Sequence, residues 1–154
     1  MIVRKGQARR KSREDAKFGV METESFSDSA GITQYGVYLQ TLQPGAISSM
    51  RHWHEREDET LWVVSGEVTI VENDGKHVLH PGDAACWPAG VPNAHHVLNE
   101  SSEPCSYLMV GTRLTHDVCH YPDTGKTLYT EGETWRFEDA EGQVIRSGKA
   151  EPAW

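Results

Sequence analysis

A chain of 154 residues, 25% charged and 37% hydrophobic, is one domain long and can bury a core without covalent staples. No apolar stretch approaches the roughly 20 residues needed to cross a bilayer, and the basic, polar start does not resemble a secretory signal; both observations point away from membrane-spanning and secreted classes. Cys86, Cys105 and Cys119 form no Cys-x-x-Cys pair, which argues against a disulfide framework or a thiolate zinc site and fits a reducing cytoplasm.

The net charge of −8 is unevenly spread. Residues 1–17 hold seven basic groups against two acidic ones, and the remainder holds eight against twenty-one. The basic stretch has no aromatic residues interleaved for base stacking, and the acidic body repels nucleic acid. Residues 1–17 are therefore expected to be a solvated tail, or one paired with the protein's own acidic body. A polar stretch runs from Phe18 to about Ile32. From Gln34 the texture changes to short β-rich runs: Tyr35–Leu42, Ile47–His54, Leu61–Val71, His77–Leu79, Ala84–Trp87, Ala94–Leu98 and Cys105–Val110. Pro44-Gly45, Asn73-Asp74-Gly75, Pro81-Gly82, Pro88-Ala89-Gly90 and Ser101–Pro104 separate them, and Asn73-Asp74-Gly75 predicts a hairpin. Many short strands without an amphipathic helix predict an all-β sandwich or barrel. From about Thr115 the pattern loosens, with one more strand expected around Thr134–Phe137. The expected organisation is a basic polar tail and lead-in over 1–33, a barrel over 34–112, and a C-terminal extension over 113–154 that packs on the barrel.

The most informative segment is Arg51-His52-Trp53-His54-Glu55-Arg56-Glu57-Asp58-Glu59. Alternation along a strand puts His52 and His54 on one face and Trp53 on the other. Two imidazoles and a carboxylate delivered after a short turn can converge on one metal ion, although His-x-His alone is more often a polar strand end.

Gly45, His52, His54, Glu59 and Gly66 together resemble the first motif of the cupin superfamily, with six rather than five residues between Gly45 and His52. Gly82, Pro88, Gly90, His95 and Asn99 resemble the second motif, with four residues rather than two between Gly90 and His95. That insertion leaves His95 and His96 as competing candidates. The motif's four-residue spacing to its closing Asn selects His95. The phrases Arg-His-Trp-His-Glu, Pro-Ala-Gly and Tyr-Pro-Asp resemble small bacterial single-domain cupins of poorly defined function, some of them labelled sugar-phosphate isomerase-like.

The resemblance implies a cupin double-stranded β-helix (jelly-roll) barrel over roughly residues 34–112. It also implies one divalent transition metal ion, Zn, Fe, Mn, Ni or Co, held by His52, His54, Glu59 and His95 with one or two positions left open. The implied function is a metalloenzyme of isomerase, lyase or dioxygenase type acting on a small polar carbonyl, sugar or carboxylate compound. The alternative is a metal-dependent small-molecule binding or sensor protein without turnover. Cupins commonly dimerise, so a homodimer with a small-molecule ligand in each barrel is expected.

Parity places Met50, Leu61, Val63 and Val97 with the ligands as an apolar lining, and Trp53 and Trp62 on the opposite face. Tyr38, Tyr107 and Tyr121 could each supply a phenol, but packing is the simpler role. His116 and His120 would chelate only on a helix, His77 and His80 flank a turn, and Cys86 is expected to be a small core residue.

Overall fold

Closely spaced turn residues cut this chain into strands that can satisfy their backbone groups only by pairing with neighbours. The computed structural model describes residues 1–149. Within them the strands are β1 (Arg9–Asp15), β2 (Gly19–Ser25), β3 (Tyr35–Leu42), β4 (Trp53–His54), β5 (Glu59–Ser65), β6 (Val68–Glu72) and β7 (Gly75–Leu79). They continue with β8 (Ala84–Trp87), β9 (His96–Leu98), β10 (Cys105–Thr112), β11 (His116–Tyr121), β12 (Lys126–Glu131), β13 (Thr134–Glu138) and β14 (Val144–Lys149). One five-residue helix, α1 (Phe26–Ala30), sits between β2 and β3.

The strands form a six-stranded sheet in the order β1-β2-β3-β10-β5-β8, a three-stranded sheet β7-β6-β9, and a five-stranded sheet β14-β13-β12-β11-β4. Single bridges from Ile47 to Leu98 and from His52 to His95 tie the segment before β4 to the β9 region, so the two smaller sheets run together as a second layer. Leu42, Leu61, Val63, Val68, Ile70, Val97 and Tyr107 meet between the layers and are almost fully buried. This is a double-layered jelly-roll arrangement, with sheets that remain open at their edges.

Several expectations need correction. Part of the basic stretch is a strand rather than a free tail: Arg9–Asp15 pairs antiparallel with Gly19–Ser25, which pairs in turn with β3, and Arg10 meets Glu24 at 2.8 Å, the other expectation of pairing with the protein's own acids. Arg13 explains part of this, since its guanidinium donates to the carbonyls of Ile47 and Ser48 and so uses a tail charge to close a loop. Leu61–Val71 is two strands rather than one, because Gly66 turns the chain with φ +73° between β5 and β6. Ile47–His54 is mostly irregular, and only its last two residues form a strand. Beyond Thr115 the chain is not loose but folds as four consecutive antiparallel strands. The hairpin at Asn73-Asp74 is present, with Glu72 opposite Gly75.

Candidate metal centre

Each of the four singled-out side chains reaches the same place by a different backbone device. His52 and His95 face each other as a hydrogen-bonded pair, with N–H to carbonyl distances of 3.0 and 2.8 Å in the two directions. His54 is the last residue of β4 and lies opposite Cys119 of β11. Glu59 opens β5 between Gly111 of β10 and Trp87 of β8. The outcome is a cluster around one oxygen, Glu59 Oε2. His95 Nε2 lies 2.9 Å from it, His52 Nε2 3.8 Å and His54 Nε2 3.9 Å.

The other ring nitrogen of each histidine is held from behind. His52 Nδ1 donates to the Met50 carbonyl at 2.9 Å, and His95 Nδ1 faces the Asn93 carbonyl at 3.3 Å. His54 Nδ1 donates to Asp117 Oδ2 at 2.6 Å. Carbonyls and carboxylates only accept, so these contacts put a hydrogen on Nδ1 and turn Nε2 of each ring toward Glu59, the atom that an ion would take in place of a proton. Trp87 stacks on His95 at 3.7 Å and 5° and donates its indole N–H to Glu72 at 2.6 Å, which fixes the ring plane.

Electrostatics follow from burial and pairing. Burial opposes ionisation of Glu59, but the hydrogen bond from His95 and the facing imidazoles outweigh it and bring its pKa down to about 2. Burial pushes His52 down to about 4 against the attraction of Glu59. Burial also works against the charged form of His54, yet Asp117 holds that imidazole up at about 11.

Two donors bound to one ion at about 2.0–2.2 Å lie about 3 to 4 Å apart, and the distances to Glu59 Oε2 fall in or near that range. Three imidazoles, one carboxylate and an Nδ1 held from behind on each ring suit a borderline divalent transition ion. His52, Glu59 and His95 form one group able to hold a metal, and His52, His54 and Cys119 form a second that shares His52. His96 is not in the cluster; its ring faces the Ser49 carbonyl at 3.1 Å.

The remaining candidates divide clearly. Leu61, Val63 and Val97 are shut into the core rather than exposed to a cavity. Trp62 points outward and is 53% exposed, while Trp53 stacks on His120 at 4.3 Å on the outer side of β4. Tyr107 is buried and donates its hydroxyl to Gln40 at 2.7 Å. Tyr121 is near the cluster, its ring 5.8 Å from that of His52. His120 lies on a strand, not a helix, and meets Glu55 at 2.8 Å. His77 meets Asp74 at 2.8 Å and His80 lies 3.6 Å from Glu67, both at the surface. Cys86 is exposed instead of buried, because on the edge strand β8 it faces outward beside Thr60.

The sequence reading missed two residues at the site, Asp117 and Cys119. Their signal was present as a period-two row, Asp117, Cys119 and Tyr121, inside a segment that lacked the apolar alternation of the other strands.

An antiparallel double-layered β fold with histidines and a glutamate converging inside it defines a class of small barrel proteins with an internal candidate metal site. The chain belongs to the cupin superfamily: the cupin domain family matches residues 38–111. It is similar to a sugar phosphate isomerase of that superfamily from Silicibacter pomeroyi, with 33% identity, a TM-score of 0.77, and coverage of 85% of this chain and 83% of that one. It is also similar to a proposed sugar phosphate isomerase from Acidithiobacillus ferrooxidans, with 32% identity, a TM-score of 0.76, and coverage of 82% and 81%. A predicted oxalate decarboxylase from Thermotoga maritima shares the fold at 20% identity and a TM-score of 0.62, covering 74% of this chain and 100% of that one. No curated protein matches the chain. No helix among the described residues is long and apolar enough to cross a membrane.

Proposed function

We propose that this cupin is a metalloenzyme holding one divalent transition ion through His52, His54, Glu59 and His95, and acting on a small polar carbonyl, sugar or carboxylate compound. The observation that carries this reading is the set of three Nε2 atoms turned to one Glu59 oxygen while each Nδ1 is occupied behind. A bound ion there supplies Lewis-acid polarisation of a carbonyl or acidification of a coordinated water. The chain's own part is to fix the imidazole planes, keep Glu59 ionised and shield the site behind Trp87. Likeness to two proteins named for sugar phosphate isomerisation favours an isomerase among the possible reactions.

A second reading is metal-dependent binding without turnover, and Arg51 and Arg113 bear on the choice by arguing against a phosphate substrate. Both are already engaged, Arg51 with Asp123 at 2.6 Å and Arg113 with Asp28 at 2.8 Å, so neither offers a free guanidinium to a phosphate. Metal analysis of the purified protein, followed by isomerase, lyase and oxygen-consumption assays on the loaded form, separates the two. Turnover of a small polar carbonyl, sugar or carboxylate compound by the zinc, manganese, iron, nickel or cobalt form is expected. A fully loaded protein inert in every assay would favour the binding reading, and a protein that takes up no metal would defeat both.

Asp117 supplies a finer test. It is 6% exposed and ties His54 to the Arg56 backbone N–H through its two oxygens. Asp117→Asn keeps the shape but loses the charge that orients and strengthens His54, and should weaken metal affinity about 10- to 100-fold. Competition against a chelator of known affinity measures it.

The chain is further proposed to work in the cytoplasm, in keeping with three free cysteines, one of them exposed. A homodimer is proposed on the outward face of β5, where Trp62 and Val64 are each about half exposed.

A further inference from the structure

β11 lies outside the matched cupin segment, yet it presents a row of three side chains to the cluster: Asp117 to His54, Cys119 to His54 and His52, and Tyr121 to His52. Register explains why. Cys119 and His54 stand directly opposite each other across β4 and β11, which puts their side chains on one face. The next pair, His120 and Trp53, stacks on the other face and confirms the alternation. Cys119 is 2% exposed, and its sulfur lies within 4.8 Å of donor atoms of both His52 and His54. It forms no disulfide.

From this geometry we infer that Cys119 is a fifth, sulfur donor to the ion held by the histidines and Glu59, making the site select thiophilic metals such as zinc and cobalt over manganese. The inference rests on the metal-centre reading above and adds a ligand to it. A small buried thiol that merely filled space would not need to sit at the one β11 position facing two candidate ligands. Ligation forms a metal–sulfur bond, breaks the S–H bond and releases the proton to solvent, with no change in oxidation state. A soft sulfur beside three borderline nitrogens raises affinity for zinc and cobalt but does little for manganese, which prefers oxygen.

The test uses the full chain carrying Cys86→Ser, so that the exposed thiol cannot contribute, and titrates it with Co2+. One equivalent should bind and give a strong near-ultraviolet sulfur-to-cobalt charge-transfer band. Adding Cys119→Ser should remove that band and weaken cobalt and zinc affinity at least about tenfold, the scale on which even supporting groups act, while manganese affinity stays within error. Circular dichroism and a thermal melt of the variant verify that it folds. Stoichiometric cobalt binding with visible ligand-field bands but no charge-transfer band would overturn the role of Cys119 and leave the His and Glu site standing. Failure to bind cobalt at all would overturn the metal centre itself and the sulfur donor with it.

Discussion

Replacing Glu59 by glutamine is expected to abolish stoichiometric metal loading while the protein still folds. Glu59 Oε2 is the common neighbour of all three Nε2 atoms, at 2.9, 3.8 and 3.9 Å, and among the described residues it carries the only carboxylate charge in direct contact with His95. Glutamine matches its shape but lacks the anion, and its amide nitrogen cannot ligate. Removing groups that merely support a ligand costs about 10- to 100-fold in affinity, so losing the ligand itself should exceed 100-fold. His52→Ala should have the same effect, since His52 belongs to two of the candidate ligand groups, the one with Glu59 and His95 and the one with His54 and Cys119. Metal content after dialysis, read beside a thermal melt, measures both variants. A Glu59→Gln protein that keeps one tightly bound ion would contradict the assignment.

Gly66→Ala should be the most damaging small substitution in the barrel. Gly66 adopts φ +73°, a conformation that costs an alanine about 1–2 kcal/mol. A Cβ there would stand 2.7 Å from the Pro104 carbonyl oxygen and 2.8 Å from Cys105 Cα, both backbone atoms that cannot rotate away. Overpacking of this kind costs about 1–3 kcal/mol, so a total loss of roughly 2–5 kcal/mol is expected from denaturant titration. A variant within 0.5 kcal/mol of the parent, about the usual effect of a neutral surface change, would show that the β5–β6 corner yields more easily than its contacts imply.

How far the sequence was legible depends on which physical signal each part carries. The barrel strands were readable because glycine, proline and asparagine mark their ends and apolar residues alternate between them, as in Tyr35–Leu42 and Cys105–Val110. The cluster of His52, His54, Glu59 and His95 was readable because two motifs stood in order at near-family spacing. His95 rather than His96 follows from the motif's four-residue spacing to Asn99, and the structure turns His95 inward at 2% exposure. β1 was opaque, since Arg-Arg-Lys-Ser-Arg carries no apolar face; it is held as an edge strand by pairing with β2 and by Arg13. β13 was legible around Thr134–Phe137, but β11, β12 and β14 were opaque for a related reason. Their burial is partial, so polar residues such as Thr130 occupy positions where a core strand would show valine. Asp117 and Cys119 were overlooked with them, because a charged residue reads as surface until its buried partner is known.

The supports behind the three imidazoles differ in kind. Two are peptide carbonyls, of Met50 and Asn93, which every residue at those positions would provide, whereas the third is the Asp117 side chain. The carbonyl contacts of His52 and His95 therefore survive a change of side chain at 50 or 93 that keeps the backbone path. Position 117 is where a change of side chain alters the partner behind an imidazole, so descendants of this barrel can retune His54 there without redrawing the cluster.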